Sequence, residues 1–358
     1  MKKFCLRSIV ILGWSGIIFS CLYLPKVSFF QKKSKTINVF AWGDIIDPAE
    51  IARFEKKTGI KVQMSYYASN EELIVKMKAT KGEGYDLIIP SDYAVKTLIK
   101  ENLLAEIDKS KLQFLDEINK NLLGQSFDPN NDYSIPLEWE IFGFGIDSEF
   151  FKGRHIDQSW GLIFNKDIID YKISMTNDPI EAALFSSFYL FGNTHHLDEP
   201  KISKVKTLLI NQKKWVEAYA NFRGDYFLAT KNCPVVVASS SYIWKTMRKF
   251  PFVSFVVPKE GTFICIENLA IPKAAKNNAN TYEFINFLFQ HDTVKNHFEK
   301  FGFFPSTLQS IQEAEIDPRA RELIRAVGEN FDNFHLMKEI MNQNQVNQIW
   351  IEIKSSPL

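Results

Sequence analysis

Hydrophobic positions along the chain follow two spacings, which predict strands and helices in turn. Between the first two predicted strands, Asp47 and Pro48 suit the cap and first turn of a helix, and Gly59 suits its end. A second helix is predicted from Ser69, and a third one after the third strand. These strands are predicted at residues 36–41, 62–67 and 86–89. This alternation of strands and helices is typical of a parallel sheet with helical crossovers.

The second half of the chain predicts another α/β unit, connected to the first by several crossings. A turn-rich loop at residues 127–133 precedes an apolar, aromatic stretch that ends at Ile146 and predicts a crossing strand. Strands 253–257 and 263–266 are predicted to return to the first unit. Further helices are predicted at residues 179–191, 203–221, 282–289 and 293–301.

The length of the chain predicts two lobes. About 320 residues follow the N-terminal segment, which is more than one hydrophobic core usually holds. We expect an α/β fold in which each lobe has a central sheet flanked by helices. The expected boundaries are 36–140 plus 267–313 for the first lobe and 141–266 plus 314–358 for the second. Two lobes joined by several strands can hinge and enclose a ligand between them.

Residues 1–24 have the pattern of an export signal. Lys2, Lys3 and Arg7 precede about 17 residues without a charge, as in a signal peptide. That length also approaches the span of a bilayer, so a membrane anchor is the alternative. Cys21 ends the sequence Ile-Phe-Ser-Cys, which is similar to a bacterial lipoprotein cleavage box, and is a candidate lipidation site. We therefore expect a periplasmic protein, either free or lipid-anchored.

Charge and cysteine content narrow the function classes. The formal charge of the whole chain is +1, and removing the three basic residues of the N-terminal segment leaves 1 − 3 = −2. A nearly neutral protein has no basic surface for nucleic acid, so we expect no nucleic-acid partner. Cys233 and Cys265 could pair in an oxidising compartment or remain two buried thiols. The adjacent His195 and His196 lack a spaced third ligand, and we expect neither a metal nor another cofactor.

Two predicted parallel strands end in residues that suit a binding site. Trp42 and Asp44 follow the first strand, and Ser91 and Tyr93 follow the third. Because α/β sheets bind ligands at the carboxyl ends of their strands, we expect these residues to face one cleft. The alternatives are that Trp42 belongs to the core and that Ser91 and Tyr93 only shape a turn.

Three further acids complete the set of candidates. Asp178 and Glu181 open the predicted helix 179–191, and Glu267 lies in an alternating strand. Asp178 and Glu181 also fit a capping box, and a lone strand acid is normally solvated. Several acids and an indole suit a flexible cation with more than one charge, because an ammonium has three donors and no acceptor. The functional question is whether the acids converge.

Several short motifs extend over nearly the whole chain beyond the N-terminal segment. They are E-K-K-T-G-I-K-V (55–62), Y-D-L-I-I-P-S-D-Y (85–93), I-D-K-S-K-L (107–112), F-D-P-N-N-D-Y-S-I-P (127–136), and P-K-E-G (258–261) running into N-L-A-I-P (268–272). Their order resembles that of the bacterial spermidine/putrescine-binding proteins, the periplasmic receptors of polyamine ABC importers. The resemblance implies a two-lobed, type II-like periplasmic-binding-protein fold. It also implies a polyamine in the cleft, a permease in the inner membrane as partner, and a monomer.

The resemblance also implies which residues of this sequence bind the ligand. They are Trp42, Asp44, Ser91, Tyr93, Asp178, Glu181, Ser239 and Glu267. Glu267 replaces a family aspartate and keeps its charge.

Four positions depart from the family pattern. Ile45 and Phe303 each stand where the family has a tyrosine, and Cys265 replaces a tryptophan. Either Ala238 or Ser239 replaces a second tryptophan. The acids are thus kept while the aromatic wall becomes thinner.

Three hypotheses follow from these residues. The first is an extracytoplasmic receptor for spermidine or putrescine. The second keeps the fold but binds a smaller cationic or amino-acid-like solute, because the wall has changed. The third is an exported hydrolase, which we do not favour: the sequence contains no G-x-S-x-G and no H-E-x-x-H, and Ser239-Ser240-Ser241 lacks the glycines of a nucleophile elbow. We expect no enzyme.

Overall fold

The computed structural model describes most of the chain beyond residue 34. The described residues are 13–14, 35–192, 195–220, 224–276, 278–307, 317–329, 331–338 and 340–356. Apart from residues 13–14, the expected export signal lies outside them, and so does Cys21. Within the described ranges, no helix combines the length and the apolar character needed to cross a membrane.

Eleven strands of the described chain join in one mixed sheet. They are β1 (Thr36–Trp42), β2 (Lys61–Tyr67), β3 (Leu87–Ile88), β4 (Ser134–Asp147), β5 (Ile173–Met175), β6 (Val216–Tyr219), β7 (Val235–Ser239), β8 (Val253–Val256), β9 (Thr262–Ala270), β10 (Phe304–Pro305) and β11 (Phe334–Leu336). The order across the sheet is β2–β1–β3–β9–β4–β7–β5–β6, with β8 and β10 on β4 and β11 on β9. β1 runs parallel to both β2 and β3, as the strand–helix repetition predicts.

The long strand β4 joins two halves of this sheet. Its first part pairs with β9, and its second part pairs with β7 and β8, always antiparallel. We call the part of the molecule around β1, β2, β3 and β9 the first lobe, and the part around β5, β6 and β7 the second lobe. The predicted α/β class and two-lobed architecture are confirmed.

Helices cover the sheet in both lobes. They are α1 (Pro48–Thr58), α2 (Asn70–Thr80), α3 (Asp92–Lys100), α4 (Gly161–Phe164), α5 (Pro179–Phe191), α6 (Glu199–Gln212), α7 (Gly224–Ala229), α8 (Ser240–Met247), α9 (Asn278–Leu288), α10 (His291–Phe301), α11 (Pro318–Glu329) and α12 (Gln343–Ser355). Local signals fix their ends: the Asp47 carboxylate accepts a hydrogen bond from the Ala49 amide at 2.9 Å, and Gly59 ends α1 with a φ of 70°.

One predicted helix is wrong over its second half. The sequence predicts a helix over residues 203–221, whereas α6 ends at Gln212 and Val216–Tyr219 forms β6, which pairs with β5. β6 forms by pairing with β5, a segment far away in the sequence, so the local hydrophobic pattern could not predict it. By contrast, α5 has the predicted bounds 179–191.

Three clusters of buried side chains fill the space between helices and sheet. One lies in the first lobe around Phe54, and another in the second lobe around Trp160. The remaining cluster contains Trp139 of β4 and Trp244 of α8, together with residues of both lobes. The two lobes therefore share this part of the core.

Candidate functional site

Glu267 of β9 is the centre of the candidate site. It is 7 % exposed, and the indole Nε1 of Trp42 donates a hydrogen bond to its Oε2 at 3.1 Å. The hydroxyl of Ser91 donates to the other oxygen, Oε1, at 2.7 Å. Trp42 is the last residue of β1, and Ser91 precedes α3, so the ends of two neighbouring strands supply both donors. The structure therefore brings together three of the residues that the sequence singles out.

The Ser91 hydroxyl is itself oriented by Asn70 at the start of α2. The Asn70 Nδ2 donates to Ser91 Oγ at 2.9 Å, and the Ser91 amide donates to Asn70 Oδ1 at 3.2 Å. Since Ser91 Oγ accepts from Asn70, its own proton is free to point at Glu267. Both Asn70 and Ser91 are buried, which makes this a fixed donor rather than a mobile surface hydroxyl.

Two carboxylates that the sequence analysis missed lie beside Glu267. The register of β4 on β9 places Glu138 opposite Glu267 and Glu140 opposite Cys265. Residues opposite each other in antiparallel strands share a face of the sheet, as do residues two apart in one strand. The signal in the sequence is Glu138-Trp139-Glu140, two acids with this spacing in an otherwise apolar strand.

These two carboxylates have partners of different kinds. Ser241 Oγ donates to Glu140 Oε2 at 2.5 Å, and it also lies 3.2 Å from Ser239 Oγ. Nε2 of His297 lies 2.6 Å from Glu138 Oε2, a distance that suits an ion pair although the two atoms lack regular hydrogen-bond geometry. The predicted site residue Ser239 is thus placed next to Glu140.

Asp178 and Glu181 have separate hydrogen bonds in the second lobe. Asp178 is the N-cap of α5, and its Oδ1 accepts from the amides of Ile180 and Glu181 at 2.7 and 3.1 Å. Glu181 does not return a hydrogen bond to Asp178, as a capping box would require; instead its Oε2 accepts from Thr176 Oγ1 at 2.5 Å. Thr176 Oγ1 also accepts from the Asp178 amide at 3.0 Å.

The buried acids form one electrostatic unit. Burial raises the pKa of Glu267 to about 8. The hydrogen bond from Ser91 lowers this pKa, and the negative charges on Glu138 and Glu140 raise it further. Burial, followed by the nearby Asp178 carboxylate and by Glu140, raises the pKa of Glu181 to about 8. Because Glu140 acts on both groups, the acids of the two lobes are electrostatically connected.

Glu138 and Glu140 belong to the same unit. Burial is the main cause that raises the pKa of each carboxyl, and the positive charge of Lys245 lowers both. Oε1 of Glu138 has no hydrogen-bond partner among the residues that the structure describes. A buried acid of this kind is costly unless a proton or a cation neutralises it.

The two remaining predicted residues lie at the edge of the site. Asp44 has a φ of 61°, and its Oδ2 lies 3.8 Å from the Lys245 ammonium. Tyr93 is 43 % exposed, and its hydroxyl donates to Glu71 Oε1 at 3.0 Å. Neither residue contacts Glu267 directly in this structure.

Aromatic rings line only part of the site. The rings of Trp42 and Tyr67 lie 4.7 Å apart, and Tyr67 donates to the carbonyl of Ile89 at 2.5 Å. Ile45 is buried. Cys265, where the resemblance implies a tryptophan, has its thiol 3.5 Å from Glu267 Oε1. Trp42 and Tyr67 thus supply rings on one side of Glu267, and a thiol lies on another.

Thiols and possible metal ligands do not change this picture. Cys233 and Cys265 are both free thiols. In the described ranges, no three histidine, cysteine or acidic side chains are grouped so that they could hold a metal ion.

A two-lobed α/β protein with buried acids where its lobes meet has the architecture of a solute-binding protein. A sequence profile described as bacterial extracellular solute-binding protein matches residues 49–321. The chain belongs to this family.

Individual relatives agree with the assignment. The spermidine/putrescine-binding periplasmic protein of Salmonella typhimurium is 31% identical over 274 residues, which are 75% of this chain and 76% of that protein. The putrescine-binding periplasmic protein PotF of Escherichia coli is 27% identical over 297 residues, 78% of this chain and 80% of that protein. Among solved structures, the spermidine/putrescine ABC transporter substrate-binding protein PotD of Streptococcus pneumoniae has a TM-score of 0.78 and 24% identity, and the match covers 90% of this chain and 99% of that one. This last likeness supports the fold.

Proposed function

We propose that the protein is the extracytoplasmic receptor of an ABC importer and that it binds a polyamine, spermidine or putrescine, between its lobes. The observation that carries the proposal is the buried carboxylate of Glu267, held by Trp42 and Ser91 beside Glu138 and Glu140. A polyamine alternates ammonium groups with methylene chains. Carboxylates satisfy the ammonium donors, and the face of an indole suits a cation or a methylene chain.

Closure of the lobes around the cation is the proposed mechanism. The acids of both lobes attract the ligand, and contacts from both sides favour the closed form over the open one. A permease in the inner membrane would then recognise the closed form. The proposed lobes are residues 36–140 plus 267–313 and residues 141–266 plus 314–358.

The same proposal includes a location and excludes catalysis. The basic, then apolar, residues 1–24 support export, with Cys21 as the residue that would carry a lipid anchor. The protein would act as a monomer and as a carrier of its ligand rather than as an enzyme, without a cofactor or a nucleic-acid partner.

One departure from the family pattern favours a second candidate ligand. Cys265, whose thiol lies 3.5 Å from Glu267 Oε1, stands where the resemblance implies a tryptophan, and either Ala238 or Ser239 stands where it implies another. A smaller cationic or amino-acid-like solute would then be bound by the same carboxylates. Failure of every polyamine to stabilise the protein in a thermal-shift panel, together with stabilisation by such a solute, would favour this alternative.

Calorimetry with putrescine and spermidine tests the proposal directly. The protein is purified from the cell envelope of its host and titrated as wild type, Glu181→Gln and Glu267→Gln. Each variant should weaken binding by at least about tenfold, the size of one charge-assisted hydrogen bond. Glu83→Gln, which changes the same charge at an exposed position, is the matched control and should bind as wild type does. Wild-type affinity in both cleft variants would show that the site lies elsewhere.

A further inference from the structure

Lys245 connects the two lobes at the edge of the acid site. It lies in α8, which begins directly after β7 of the second lobe. Its Nζ is 3.8 Å from Oδ2 of Asp44, which follows β1 of the first lobe. The pair therefore spans the cleft in which the ligand is proposed to bind.

Two aromatic rings enclose the Lys245 ammonium. Nζ lies 5.3 Å from the ring centroid of Tyr242 and 5.4 Å from that of Phe301. Both distances are within the range of cation–π attraction. The Lys245 side chain is 31 % exposed, so the protein covers most of its surface.

The same charge acts on the buried acids. The positive charge of Lys245 is among the causes that lower the pKa of Glu138 and of Glu140. Its ammonium thus has acids and rings around it, which are the groups expected around a polyamine ammonium. The side chain is also similar to one end of such a ligand, because lysine carries a primary ammonium on a four-carbon chain, as each end of putrescine does.

We propose that Lys245 is a specificity-determining residue: its ammonium occupies the position between Asp44, Tyr242 and Phe301 that a third ammonium would need. The site then accepts diamines and disfavours triamines. This inference rests on the proposed function, since it refines which polyamine the receptor selects.

A role in stability alone accounts poorly for this arrangement. The Asp44 side chain is 72 % exposed, and ion pairs with exposed partners contribute little to folding. Lys245 nevertheless places a positive charge where an ammonium of the proposed ligand would bind. Repulsion between like charges is a common way to exclude a wrong ligand.

The test compares putrescine with spermidine in wild type and Lys245→Met by calorimetry. Wild type should bind putrescine more tightly. Lys245→Met should lower the Kd for spermidine relative to that for putrescine by at least about tenfold, because the third ammonium can then use the vacated position. Lys245→Gln should shift the ratio in the same direction, and it replaces Lys245→Met if that variant does not fold. Lys245→Arg, which keeps the charge, should retain the wild-type preference.

A matched control separates this local effect from overall charge. Lys249→Met removes the same charge from an exposed position just beyond α8, and it should change both Kd values equally. The inference is overturned if wild type prefers spermidine, or if the ratio in both Lys245→Met and Lys245→Gln stays within about threefold of wild type. Binding of neither polyamine to wild type would instead refute the proposed function.

Discussion

Binding of a diamine is expected to release a proton from Glu267. In the unliganded protein, burial raises the pKa of Glu267 to about 8, and the charges on Glu138, Glu140 and Asp92 add to this effect. At about pH 7, a group with this pKa is about nine-tenths protonated. A protonated carboxyl is a poor partner for an ammonium, which needs acceptors on every side. Ligand binding therefore has to displace the proton.

The pKa sets the size of this effect. Removing the proton at about pH 7, one unit below the pKa, costs about 1.4 kcal/mol. The cost is nearly absent at about pH 8.5, so Glu267 alone should make the Kd for putrescine fall about eightfold between these two values, and release of a proton from Glu181 should add to this fall. The ammonium groups of the ligand stay largely charged over this range, since the pKa of a primary ammonium such as that of lysine is about 10.4.

The assay is calorimetry in two buffers with different ionisation enthalpies, such as phosphate and Tris. Wild type should release about 0.9 proton from Glu267 at about pH 7, with a further contribution from Glu181, whose pKa is also raised to about 8. Glu267→Gln should release correspondingly less and should show a weaker dependence of Kd on pH. Because this variant is expected to bind weakly, it is titrated at higher protein concentration. Heats that do not depend on the buffer, or equal proton release in both proteins, would refute the reasoning.

Two further predictions concern the same carboxylate. The folded protein holds the Glu267 proton up to about pH 8 and the unfolded chain only up to 4.5, so the stability of the unliganded protein should fall as the pH rises between these values. Denaturant unfolding at several pH values should show that Glu267→Gln flattens this fall; an unchanged slope would contradict the assignment. Ser91→Ala removes the donor at 2.7 Å from Glu267, so it should raise the pKa of that carboxyl further and weaken putrescine binding at about pH 7 by about tenfold. Ser110→Ala, which removes a 2.5 Å hydrogen bond to the exposed Asp108, is the control and should leave binding unchanged.

Local signals in the sequence predict much of the fold. Asp47 and Gly59 fix the ends of α1, and Asp178 with Pro179 fixes the start of α5, because caps depend on a few neighbouring residues. The strand–helix repetition before residue 104 gives the parallel order of β1, β2 and β3 for the same reason. The short strand β6 shows the limit of such signals, since its assignment depends on a partner in another part of the chain.

In the candidate site too, local signals in the sequence predict some residues, whereas others depend on contacts between distant segments. Trp42 and Ser91 could be predicted because both follow parallel strands whose carboxyl ends lie side by side. The positions of Glu138 and Glu140 beside Glu267 depend on the register of β4 on β9, which pairs segments far apart in the sequence. The contact between Asp44 and Lys245 likewise joins the lobes. Neither the hydrophobic pattern nor the spacing of residues in the sequence predicts these contacts between distant segments.

The buried acids are neutralised by two means, and these respond differently to a ligand. Protons neutralise most of Glu267 and Glu181 at about pH 7, because their pKa values are raised to about 8. By contrast, His297 acts on Glu138, and Lys245 acts on both Glu138 and Glu140, as cations fixed to the chain. A diamine brings two positive charges and can displace these two protons, which leaves the charge of the site unchanged. A third ammonium meets the ammonium of Lys245. The proposed selection for diamines thus rests on the Lys245 ammonium beside Asp44, which a ligand cannot displace.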